Sequence, residues 1–284
     1  MRRALLMITS LPWSEIAELT LALVAGGLVT GFFAGLLGIG GGAIIVPVLY
    51  ELFRITGVDD SVRMKICVAT SLAIIIPTAI RSVRSHWKRG AVDVSVIKTL
   101  GAWVVAGAIV GVFVASHAPA NFLKGVFVAS TLFIAGRLAF ANGSTGAGAK
   151  LPGLPWDGLA GAGIGLISTL IGIGGGAYIT AYMKFLGWPI HKAVGTAAGF
   201  GPLIAVPATI GFMAEGWGLP LLPPLSLGYV NLLGLVVVAP VSVLAAPLGV
   251  RVAHQLSRRA LEYIFMTFLL LVAARFAVSL AFGV

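Results

Sequence analysis

The sequence predicts an all-α polytopic membrane protein made of two inverted-topology repeats, each starting with a glycine-broken helix, with about eight to ten membrane segments in all. Three observations carry that reading. The 284 residues are 59% apolar and only 10% charged, with a mean hydropathy of +1.06, and the apolar residues gather in runs longer than a soluble core requires. The stretch Gly38-Ile39-Gly40-Gly41-Gly42-Ala43 recurs as Gly172-Ile173-Gly174-Gly175-Gly176-Ala177. Loops at equivalent places in the two halves carry opposite charge patterns.

Residues 1–16 read as an N-terminal tail. Met1-Arg2-Arg3 and a short apolar stretch faintly suggest a signal peptide, but Pro12, Trp13, Glu15 and Glu18 follow without a small-residue cleavage site. Candidate spans then run over 17–50, 66–83, 94–116, 121–141, 157–183, 193–213, 225–249 and 260–282. One crossing needs about 20 residues, so the first and fifth runs are too long for one straight helix. Both contain the glycine stretch. Glycine inside a helix costs about 1 kcal/mol against alanine, and three in a row break the helix. In lipid such a break is tolerated only inside protein or along a wet cavity. Residues 142–156, rich in Gly, Pro and Ser, read as the linker between a first repeat, 17–141, and a second, 157–284.

The halves match beyond the glycines. Ala69-Thr70-Ser71 corresponds to Gly195-Thr196-Ala197, and each opens a span with a later proline, Pro77 or Pro207. Leu123, Phe127, Leu132, Ala135 and Arg137 correspond to Leu261, Phe265, Leu270, Ala273 and Arg275. The loop holding Arg81, Arg84, Lys88 and Arg89 is basic in the first half, whereas 117–121 has no Lys or Arg. In the second half 215–224 has none, and 251–259 is basic. Lys and Arg favour the cytoplasmic side, so equivalent loops are expected on opposite faces. Inversion needs an odd number of crossings per half. That condition is met if each broken run folds back as a hairpin or forms a broken helix pair. It places both termini on the outer side, against which Arg2 and Arg3 argue.

Several chemistries are excluded. The net charge of +10 sits in short clusters between apolar spans, which is a topology signal and not a nucleic-acid surface. The single cysteine, Cys67, rules out an intrachain disulfide framework. The four histidines lack metal-ligand spacing with one another, and no cofactor or metal is expected. All nine carboxylates fall near span ends or in loops, which leaves no mid-membrane acid to carry protons or coordinate sodium. No nucleophile–base pair lies within a span, so a membrane-embedded enzyme is disfavoured.

The breaks themselves offer chemistry. Helices restarting after Gly42 and Gly176 would aim N–H groups and positive dipole ends at the break, which suits an anion. The alternative is that small residues let helices pack closely. Backbone donors are expected at Gly40, Gly41, Gly42, Gly174, Gly175 and Gly176, with hydroxyl donors at Thr70, Ser71 and Thr196. Those hydroxyls could instead bond back to a carbonyl one turn earlier. Arg137 and Arg275 could snorkel or bind substrate, and Asn231 could line a cavity or bridge helices.

Gly31 to Gly42 and its second copy, Ala69-Thr70-Ser71, His191 to Thr196, Gly228-Tyr229-Val230-Asn231 and Ala245 to Gly249 before Arg251 and His254 together resemble the TauE/SafE family of sulfite and organosulfonate exporters. The resemblance runs from about residue 20 to the C-terminus. It implies a bacterial-type inner-membrane transporter of small sulfur-containing anions such as sulfite, sulfoacetate or thiosulfate. Expected partners are that anion and membrane lipid, with no nucleic acid; oligomeric state is left open. Ala197 departs from Ser71 of the first copy, so the half-sites are not equivalent if that hydroxyl binds substrate. A channel-like anion pore and a non-transporting partner-binding protein are the remaining rivals.

Overall fold

The computed structural model describes residues 13–37, 42–140, 151–255 and 258–282. Among them ten helices follow in order: α1 Trp13–Leu37, α2 Gly42–Ile55, α3 Asp60–Lys88, α4 Val94–His117, α5 Ala120–Phe140, α6 Trp156–Leu170, α7 Gly176–Phe185, α8 Ile190–Glu215, α9 Leu232–Gln255 and α10 Arg258–Phe282. A minimal antiparallel ladder pairs β1, Ser226–Leu227, with β2, Val230–Asn231, just before α9. The seventh span therefore starts seven residues later than its apolar run, because 225–231 form this turn. Among the described residues four helices are long and apolar enough to cross a membrane: α3, α4, α8 and the Leu232–Gly249 part of α9. The molecule is a mostly helical, polytopic membrane protein.

Side-chain bonds place several helix ends on one face or the other. α3 starts at Asp60 on one face and ends among Arg81, Arg84 and Lys88 on the other. Lys124 in the first turn of α5 and Ser279 near the end of α10 both meet at the Asp60 face, where Lys124 Nζ lies 3.0 Å from Asp60 Oδ2 and 3.3 Å from Ser279 Oγ. On the basic face, Lys192 at the start of α8 donates to Gly90 O at 3.1 Å.

The first and fifth apolar runs are hairpins. In the second half Tyr182 Oη, near the end of α7, donates to Asp157 Oδ1, near the start of α6, at 2.9 Å. In the first half Gly26 of α1 faces Val48 and Leu52 of α2. Tyr50 Oη of α2 donates to Asp60 Oδ1 at 3.0 Å, so the α1–α2 hairpin opens on the Asp60 face. The α6–α7 hairpin opens on the basic face, since α6 runs beside α4 in the same direction. The two hairpin tips meet inside the protein. A Cβ built on Gly42 would lie 3.1 Å from Ile173 Cα and 3.2 Å from Gly172 O.

Small residues set how closely the helices approach, as expected where lipid supplies no hydrophobic drive between them. α1 packs on α9 and α6 on α4, while α3 packs on α8 and α5 on α10. The contacts recur at corresponding positions. Gly27 and Gly31 sit against Val238, Val241 and Ser242, whereas Gly161 and Gly165 sit against Leu100, Trp103 and Val104. A Cβ on Gly31 would fall 2.2 Å from Ser242 O, and one on Gly165 would fall 2.0 Å from Val104 O. Trp103 lies along that seam, over Gly158, and is 43% exposed. It therefore belongs to the outer wall of the helix pair and not to the centre.

Candidate functional site

The second break shows what each glycine does. α6 ends in a Schellman motif: Ile173 N donates to Ser168 O at 2.9 Å and Gly172 N to Thr169 O at 3.3 Å, with Gly172 at φ +71°. Gly175, at φ +75°, is the residue before α7, and it offers no side chain to cap that helix. Its own N–H donates to Ile173 O at 2.8 Å. Gly174 is packed against Ile75, where an added Cβ would come within 2.9 Å of Cγ2, whereas a Cβ on Gly176 would meet nothing within 4 Å. Of the first break, Gly42 begins α2; Gly40 and Gly41 lie outside the described residues.

Two helix N-termini thus converge from opposite faces on one interior point. α2 and α7 each aim their first-turn N–H groups and positive dipole ends at the place where the tips touch. No carboxylate among the described residues has been placed there: Glu51, Asp59 and Asp60 lie towards one face, and Asp93 and Asp157 towards the other. Among the described residues no His, Cys, Asp and Glu group could hold a metal ion.

The hydroxyls are arranged differently from one another. Ser71 Oγ donates to Gly172 O at 2.9 Å, so a first-half helix holds the second-half break in place. Thr70 Oγ1 accepts Asn231 N–H at 3.0 Å, and Thr196 Oγ1 accepts Asp93 N–H at 2.8 Å. Each threonine therefore clasps the residue that starts a helix of the other half. Asn231 has all its polar side-chain atoms engaged. Its Oδ1 accepts Gly234 N–H at 2.7 Å, and its Nδ2 donates to Pro224 O at 3.2 Å and Ser226 Oγ at 3.3 Å. This is a helix cap that bridges elements. Arg275 Nε lies 2.9 Å from Glu51 Oε1, in an ion pair away from the tips. Arg137 belongs to α5, and its side chain is outside the described residues.

Sequence reasoning passed over Ser168 and Thr169. Both side chains are fully buried beside the second break, and among the described residues neither Ser168 Oγ nor Thr169 Oγ1 has a hydrogen-bond partner. The signal available was divergence between the copies: Ala34 and Gly35 occupy these places in the first.

The family profile described as sulfite exporter TauE/SafE matches residues 23–276. A probable membrane transporter protein of Haemophilus influenzae is 31% identical over 254 residues, covering 89% of this chain and 96% of the relative. One of Methanocaldococcus jannaschii is 26% identical over 272 residues, covering 93% and 97%. A third, from Bacillus subtilis, is 26% identical over 198 residues, covering 66% of this chain and 76% of that one. No solved structure matches the chain.

Proposed function

We propose, from the fact that this chain belongs to the sulfite exporter TauE/SafE family and is an integral membrane transporter and not an enzyme, that it exports small sulfur-containing anions across a bacterial inner membrane. The anion, a sulfite, sulfoacetate or related organosulfonate or thiosulfate, binds at the midplane between the two hairpin tips. The observation that carries this reading is the convergence of the α2 and α7 N-termini on one buried point, with Gly42 against Gly172 and Ile173. Such ends favour negative charge without a cationic side chain. The basic face is cytoplasmic by its Lys and Arg, which puts the start of α1 and the end of α10 outside and makes the halves an inverted pair. The backbone of Gly42 and of Gly174 to Gly176 lines the site; Ser71 shapes it through Gly172; Thr70 and Thr196 hold the flanking helices. Arg275 and Asn231 support the surrounding helices.

With no acidic residue at the tips, export needs no coupled ion. A cytoplasm negative by about 100 mV supplies about 2.3 kcal/mol per exported charge. The test is sulfite flux in vesicles under an imposed voltage at equal pH, with the wild type beside Gly176→Leu. A Cβ on Gly176 would meet nothing within 4 Å, so a leucine there starts its side chain in open space beside the α7 N-terminus. Flux that follows voltage in the wild type and vanishes in a normally folded Gly176→Leu is the expected result. Normal flux in the variant would remove the site, and flux that ignores voltage but needs a proton gradient would remove the uniport.

A further inference from the structure

The two hairpins repeat the same glycine sequence but not the same hydroxyls beside it, and that inequality says where the anion is held. α7 starts at Gly176 after a glycine that supplies no capping side chain. Three first-turn N–H groups, of Gly176, Ala177 and Tyr178, precede the first intrahelical bond, which Ile179 N makes to Gly175 O at 3.0 Å. Ser168 Oγ lies 3.5 Å from the point where a Cβ on Gly175 would stand. It is therefore beside the uncapped end, 0% exposed and without a partner among the described residues. A buried hydroxyl left unpaired destabilises a fold. The first copy has alanine at the matching place, Ala34.

We infer that the α6–α7 tip alone forms the primary oxyanion site, with the Ser168 hydroxyl as its side-chain donor. This rests on the anion-transport reading above and deepens it. The donors come from two chain segments, one O–H from α6 and the N–H groups of α7. A ligand with two or more acceptor oxygens engages both segments through separate oxygens. A sulfite or sulfonate does so, and chloride offers only a single sphere. A Cβ on Gly176 would meet nothing within 4 Å, so the α7 N-terminus is open at that point. The α2 end, without a matching hydroxyl, serves as the weaker position through which the anion passes.

The inference separates from a merely structural role because binding and stability should move in opposite senses. In Ser168→Ala the unpaired hydroxyl is gone, so the unliganded protein should unfold at the same temperature or higher. Its affinity for the anion should fall about 10- to 100-fold, the worth of one hydrogen bond to a charged group. Thr30→Ala is the matched control, since Thr30 is likewise buried on the hairpin of the other half, and its Oγ1 has no partner among the described residues. The experiment titrates sulfite, sulfoacetate and chloride against the thermal unfolding of the purified full chain, for wild type and both variants. It also measures KM for flux in vesicles. Stabilisation by an oxyanion that weakens in Ser168→Ala, with KM raised there and unchanged in Thr30→Ala, supports the inference. Equal oxyanion affinity in wild type and Ser168→Ala overturns it while leaving the transport reading intact. A wild type that neither moves nor binds any oxyanion overturns both.

Discussion

The α1–α2 and α6–α7 hairpins enter from opposite faces, and their tips touch, yet they are secured by different means. The first is tied at its open end into a charged cluster. Tyr50 Oη and the buried Lys124 both bind Asp60, and Arg63 Nη1 lies 3.2 Å from the same carboxylate. The second is tied by Tyr182 on Asp157, which also accepts Gly153 N–H at 2.9 Å. At the tips the contrast reverses: the described polar side chains gather at the second break, as Ser71, Ser168 and Thr169. The lesson is that a duplicated backbone does not carry duplicated chemistry. Close helix approach depends on the shared frame, and ligand selection depends on what one copy has and the other lacks.

The largest effect that would break the comparison lies in the shared frame. Gly31 and Gly165 each press directly on a carbonyl of the partner helix, at 2.2 and 2.0 Å from the added Cβ. Neither neighbour is a flexible side-chain end. Alanine at either position should prevent close packing of α1 on α9 or α6 on α4, at a cost of about 3 kcal/mol or more. Both variants are expected to lose the monodisperse peak in size-exclusion chromatography. If Gly165→Ala behaves as wild type while Gly31→Ala does not, the two helix pairs are not equivalent.

A smaller effect distinguishes the two threonine clasps. Thr70→Ala strands Asn231 N–H in a site where Asn231 is 3% exposed, and it should cost about 1–3 kcal/mol. Thr196→Ala frees Asp93 N–H where water can replace the lost partner, because Asp93 is half-buried. It should cost less, about 0.5–1.5 kcal/mol. Thermal unfolding of both variants, with Thr→Ser versions that keep the hydroxyl, measures the gap. Equal losses in the two alanine variants would mean that burial does not set the difference.

Much of the frame was legible because the physics is local. Long apolar runs, three adjacent glycines and alternating loop charge need no tertiary information, and the family followed from the motifs around them. The run lengths left two forms open at each break, a hairpin or a broken pair. Only the long-range bond from Tyr182 to Asp157 and the contact of Gly26 with Val48 and Leu52 choose the hairpin. The hydroxyls were harder. Thr70 and Thr196 stand out by recurring, and their partners, Asn231 N and Asp93 N, are 161 and 103 positions away. Ser168 does not recur, and a search for agreement between copies discards such a residue. Its significance rests on burial without a partner among the described residues, which a sequence does not display.

The smallest expected effect concerns the two residues that the threonines clasp, an aspartate in the first half and an asparagine in the second. Asp93 caps α4 through Ser95 N–H at 3.0 Å and Ser95 Oγ at 2.6 Å. Its hydrogen bond from the Ser95 hydroxyl, chiefly, holds its carboxyl below the ordinary value of 3.8, and nearby Lys192 adds to this. A carboxylate lowered in the folded state stabilises above the unfolded value, and the contribution is lost as pH falls through the folded one. Asp93→Asn keeps a competent cap, as Asn231 does for α9. The variant should therefore be only slightly less stable than wild type at neutral pH, by a margin that stays constant down to about pH 5. Below 3.8 the margin should close, because the wild type protonates and the asparagine does not. Thermal unfolding of the pair across that range gives the answer. A margin that widens on acidification would show that the charge on Asp93 opposes, rather than assists, the start of α4.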